Sequence, residues 1–89
     1  MTYFNIADKV GTQSVKETFK RAFENWKNNP VLMTELTIVL NHKLWEHFQK
    51  KDKEFAQTYS ELWKECDDWC CHHLQGADLD YFYQTANCE

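Results

Sequence analysis

Between residues 55 and 74 the apolar positions recur every three or four residues. At about 100° per residue, Phe55, Tyr59, Leu62, Cys66, Trp69, Cys70 and His73 fall in one stripe about 100° wide. Glu61, Lys64, Glu65, Asp67 and Asp68 point the other way. That is the pattern of an amphipathic helix with one face packed and the other wet. Upstream, Val15, Phe19, Ala22, Phe23 and Trp26 form a second such stripe, opposite Lys16, Glu17, Lys20, Arg21, Glu24 and Lys27. Ser14-Val15-Lys16-Glu17 reads as a capping box at its start, and Asn28-Asn29-Pro30 reads as its stop.

Pro30 can open a further helix as its first residue. Leu32, Leu36, Val39, Leu40, Leu44 and Phe48 make its broad main face. Ile38 and Trp45, one heptad apart, sit together near the opposite side. A helix that is apolar on two sides is either sandwiched between neighbours or carries a contact patch. Thr34, Thr37, Ile38 and Val39 are β-branched, but the helical spacing continues well past strand length. Lys50-Lys51-Asp52-Lys53 is the joint, Asp52 a cap for the next helix and Gly76 its stop. Asp78 then caps a last short helix that folds Leu79, Phe82 and Tyr83 back, and the tail from Thr85 to Glu89 is expected to fray. The first thirteen residues give a short helical or irregular lead-in ended at Gly11. The expected architecture is all-α. It is a compact bundle of three main helices (14–28, 31–49, 53–75) plus a short C-terminal helix (78–84), in a single helical domain spanning 1–89.

Composition supports helices. The 89 residues include only 2 Gly and 1 Pro, and 6 Phe, 4 Tyr and 4 Trp supply a dense core for a short chain. No apolar run approaches the roughly 20 residues of a membrane span. The N-terminus lacks the basic segment and apolar run of a signal peptide, so a cytoplasmic protein with reduced thiols is expected, with no membrane association.

Charge changes the picture of the surface. Residues 1–53 carry nine Lys/Arg and six Asp/Glu, and residues 54–89 carry one Lys and eight Asp/Glu. The C-terminal third is therefore acidic and suits a basic protein surface better than nucleic acid. The basic positions Lys16, Lys20, Arg21 and Lys27, and Lys50, Lys51 and Lys53, are diluted by Glu17, Glu24 and Asp52, which again disfavours nucleic acid.

One constellation invites a chemical reading. Cys66, Cys70 and His73 share a helical face, and zinc takes four N or S ligands in a tetrahedron, which Cys88, His42 or His47 would have to complete. Three ligands on one straight helix make a poor tetrahedron. Cys66 and Cys70 are therefore read as small buried hydrophobes, His73 as a helix-end residue, and no metal or cofactor is expected. Cys71 lies near the polar face, where acidic neighbours raise a thiol's pKa, so it is not an activated nucleophile. His42 and His47 are about 140° apart on a helix, and no acid/base pair or phosphate-cradling Gly loop stands out. No enzymatic activity is expected.

The segments Met33-Thr34-Glu35-Leu36 through Leu44-Trp45-Glu46-His47-Phe48, Tyr59-x-Glu61-Leu62-Trp63, and Leu74-Gln75-Gly76 through Tyr81-Phe82-Tyr83 resemble short uncharacterised proteins encoded in phages and prophages of low-GC Gram-positive bacteria. The resemblance spans roughly residues 33–85 and implies a bacterial intracellular setting and an accessory role. It brings no catalytic residues. Three functions follow as expectations. The first is a non-enzymatic module that binds another protein, or its own copy as a homodimer, through Ile38 and Trp45. The second is an acidic, DNA-mimicking inhibitor of a host nucleic-acid or defence enzyme, in which Glu54, Glu61, Glu65, Asp67, Asp68, Asp78 and Asp80 occupy a basic groove, with Glu61, Glu65 and Asp68 as interaction candidates. The third is a metal- or redox-responsive regulator using Cys66, Cys70 and His73.

Overall fold

Five helices form in a computed structural model that describes residues 3–86: α1 (Tyr3–Val10), α2 (Thr12–Trp26), α3 (Pro30–Gln49), α4 (Lys53–His73) and α5 (Ala77–Ala86). The expected all-α architecture stands, with one helix more than the pattern announced, because the lead-in is a full two turns of helix. Its apolar residues divide: Phe4 and Ala7 are buried, whereas Ile6 and Val10 face solvent.

The connections explain the helix ends. Gly11 separates α1 from α2 at φ 147, ψ 177, a backbone conformation essentially reserved for glycine. The capping box does not form. Helix α2 starts at Thr12, ahead of Ser14, so Ser14 is an interior position and Glu17 instead accepts from the Gln13 amide at 3.4 Å. Asn29 caps α3, its side chain accepting from the backbone N–H of Val31 and Leu32 at 3.1 and 3.2 Å, and Pro30 follows as first helical residue. Asp52 caps α4 by accepting from the Phe55 N–H at 3.4 Å.

At the α3–α4 joint the N–H of Lys51 donates to the Phe48 carbonyl and that of Asp52 to the His47 carbonyl. This is a Schellman closure, with Lys51 at φ 60 where glycine is usual. Gly76, expected to stop α4, does something else. Helix α4 ends at His73 with an extended Leu74, and Gly76, at φ 61, opens α5, its carbonyl accepting from Asp80. Asp78 therefore lies inside the first turn of α5 rather than capping it. Thr85 and Ala86, expected to fray, are helical, and the rest of that tail lies outside the described residues.

Helices α3 and α4 make the most extensive pairing, an antiparallel hairpin. Around it lie α2, which touches both, α1 against α2, and α5 against α3. Val15 and Phe19 of α2, Met33, Leu36 and Leu40 of α3, Tyr59, Cys66 and Cys70 of α4 and Phe82 of α5 fill the centre. Phe4 of α1 meets Tyr59 edge-on at 5.8 Å. Two expectations for core positions fail. Phe48 is 63% exposed, its ring edge-to-face with that of exposed Trp45 at 5.6 Å. His73 is exposed at the end of α4, although Cys70 before it and Leu74 after it are buried.

Candidate functional site

Two polar clusters lie inside the α3–α4 seam. The first is neutral. Thr37 returns its hydroxyl proton to the Met33 carbonyl at 3.0 Å, the usual refuge of a threonine inside a helix. The same hydroxyl oxygen lies 3.0 Å from the Cys66 sulfur and 3.9 Å from that of Cys70. Thr37, Cys66 and Cys70 are all buried. The hydrogen bond with Cys70, and then burial, push the Cys66 thiol well up, so it stays protonated at neutral pH. His73 does not join the sulfurs. Its ring stacks on Trp69 at 4.5 Å and its Nδ1 lies 2.9 Å from the Trp69 carbonyl. Cys88 lies outside the described residues. Cys71 is partly exposed and accepts from the Tyr83 hydroxyl at 3.8 Å, and burial together with Asp67 raises its pKa.

The second cluster is charged. Helix α3 continues the stripe of Leu36 and Leu40 with Lys43 and His47, both buried. The Lys43 ammonium pairs with Asp8 of α1 and donates to Asn5 at 2.8 Å and Glu46 at 3.0 Å. His47 Nε2 lies 3.2 Å from Asp8 Oδ2, and the Tyr59 hydroxyl donates to Asp8 Oδ1. The His47 ring stacks on Phe55 at 4.8 Å and Tyr59 at 5.4 Å, while its Nδ1 is buried without a partner.

Burial pulls Asp8 up, but hydrogen bonds from Lys43, Tyr59 and His47 outweigh it and hold the carboxyl below its ordinary range. Burial likewise opposes the charge on Lys43, and its bonds to Asp8 and Glu46 win, raising it. Glu46 is lowered chiefly by its bond to Lys43. Burial and then Asp8 drive the Tyr59 phenol upward.

Carboxylate, ammonium, imidazole and phenol together resemble a catalytic set. Asp8, Glu46 and His47 also bring one ligand atom each within 4.8 Å of the others. Lys43, however, already supplies the positive charge there, bonded to both carboxylates, and a metal ion would have to displace it. Lys43, His47 and Tyr59 are sealed, and the surface groove beside them, formed by Phe48, Gln49, Lys51, Asp52, Lys53 and Ala56, includes none of them. Asp8 and Glu46, at 14% and 44% side-chain exposure, are the members of the cluster nearest to solvent. The cluster links α1 to α3 through Asp8 and Asn5, and to α4 through Tyr59.

The residues expected to make contacts lie on two outer surfaces. Trp45 is 52% exposed, with its ring edge-to-face against Phe48 at 5.6 Å, and Ile38 on the same helix is half-buried. Glu61, Glu65 and Asp68 line one side of a groove between α2 and α4, away from Trp45. The charged cluster does carry a signal in the sequence. Lys43 and His47 occur in phase with Leu36 and Leu40, which marks them as buried and therefore paired. No protein-family model, curated protein or solved structure matches the chain.

Proposed function

We propose that the chain acts as a binding module without chemistry of its own. It engages another protein, or a second copy, through the outer face of α3, in the phage or prophage accessory setting that its resemblance implies. The observation that carries this reading is the Trp45–Phe48 pair. Two large rings stand 52% and 63% exposed side by side on the central helix, in a chain whose core takes in Phe4, Phe19, Tyr59 and Phe82. Aromatic side chains held in place by one another are typical anchors of protein contacts.

The competing expectations gain less. The acidic-inhibitor reading needs a continuous negative face, but Lys16 and Lys20 stand opposite Glu61 and Glu65. The metal or redox reading needs accessible sulfurs, and Cys66 and Cys70 are enclosed by Thr37 and Met33. The test is light scattering over a concentration series, with lysate capture, comparing wild type and Trp45→Ala. Association or capture that disappears in Trp45→Ala supports the reading. Identical behaviour of the two proteins removes it.

A further inference from the structure

A second surface lies between α2 and α4. The two helices run in the same direction: Thr12 donates to Glu54 at 3.3 Å near their starts, and Phe23 meets Trp69 edge-on at 5.7 Å near their ends. Parallel neighbours are not joined by a hairpin, and here they leave an open groove of about 830 Å³. Its floor is apolar, with Phe23 and Leu62 half-buried in it. Its two lips carry mostly opposite charge, with Glu24, paired to Lys27 at 3.7 Å, as an acid on the α2 side. Lys16 and Lys20, one turn apart, stand on α2. Glu61, Glu65 and Asp68, spaced i, i+4, i+7, stand on α4. Among the described residues no ion pair crosses the groove, and Glu61 instead accepts from Gln57 of its own helix at 2.9 Å. The charges therefore flank exposed apolar surface without neutralising one another across it.

We propose that this groove receives an amphipathic helix of a partner protein. Its apolar stripe lies on the floor, with basic residues along the flank facing α4 and acidic residues along the flank facing α2. The acidic lip from Glu61 to Asp68 spans about 10 Å, two turns of such a helix. A helix with both flanks of one sign meets repulsion on one lip, so the opposed lips select the partner by charge pattern as well as by apolar fit. This surface shares no residue with the Trp45–Phe48 face and stands or falls separately from it.

The probe is a stapled, fluorescein-labelled helical peptide of about four turns (~14 residues). It carries leucines at i, i+4, i+7 and i+11, lysines on one flank and glutamates on the other. Two companions keep the leucines but carry only glutamates or only lysines. Fluorescence polarisation on the full chain is expected to rank the mixed peptide at least tenfold tighter than either companion. Lys20→Glu and Glu65→Lys, both at exposed positions, should each weaken it about tenfold, and Trp45→Ala should leave it unchanged. Raising salt on the wild type should weaken it as well, a readout that holds even if a variant misfolds. Equal binding of the three peptides, or indifference to salt, overturns the proposal. So does a concentration-dependent dimer that Lys20→Glu or Glu65→Lys abolishes and their mixture restores, which assigns the groove to a second copy.

Discussion

Midway along the α3–α4 seam Thr37 meets Cys66 and Cys70 in a neutral contact. About two to three turns further along α3, Lys43 and His47 meet Asp8 and Tyr59 in an ionised one. The neutral contact joins two helices that are neighbours in sequence, each sulfur filling space as a small hydrophobe would. The ionised contact recruits α1, the element furthest away in the chain, and works only while every partner is present. Removing an atom from the first leaves a small void. Removing a partner from the second leaves a buried charge, which costs several times more. The groups that look most chemical thus also join α1, α3 and α4 to one another.

The largest expected effect comes from stripping the charged end. Asp8→Ala leaves Lys43 with partly exposed Glu46 and the Asn5 amide oxygen and should destabilise the protein by roughly 3 kcal/mol in urea unfolding, the low end of the range for breaking a buried pair. A loss below ~1 kcal/mol would make the cluster ornamental. Acid should reach the same end. Asp8 and Glu46 are both lowered in the folded state, so unfolded chains bind protons first as pH falls. Their contribution is complete above the ordinary carboxylate range near pH 4 and fades as pH falls below it, with enclosed Asp8 weighing more than exposed, solvent-screened Glu46. Asp8→Asn should flatten that acid limb, and Cys66→Ala should leave its slope alone.

At the neutral end, Cys66→Ala removes one buried sulfur and should cost only about 1 kcal/mol. A loss matching that of Asp8→Ala would erase the contrast between the two ends. Smallest of all is a difference in thiol labelling. In the native state iodoacetamide should modify partly exposed Cys71 before buried Cys66 and Cys70, read by peptide mass spectrometry. Early labelling of Cys66 would show that this part of the seam opens.

Much of this was legible in the order of residues. The stripe from Phe55 to Cys70, the Pro30 start and the Asp52 cap each depend on local spacing, and each is where the pattern put it. Gly76 misled because a left-handed glycine can serve the helix after it as well as the one before. Helix α1 was faint because two turns provide too few positions to show a period, and its apolar residues split between core and solvent. The charged cluster was hidden for a different reason. Asp8 and Tyr59 are 51 positions apart, and only the packed fold places one beside the other. Lys43 announced burial by its phase with Leu40, but nothing local named the acid that compensates it.

The exposed pair on α3 gives the most direct test of the division between a structural interior and a working surface. Thermal melting and light scattering with lysate capture should be run side by side on wild type and Trp45→Ala. The expected result is a melting temperature within about 3 °C of wild type, as for a surface substitution, together with loss of the association. A melting temperature lowered by more than roughly 10 °C with association intact would contradict it, placing Trp45 among the residues that hold the fold.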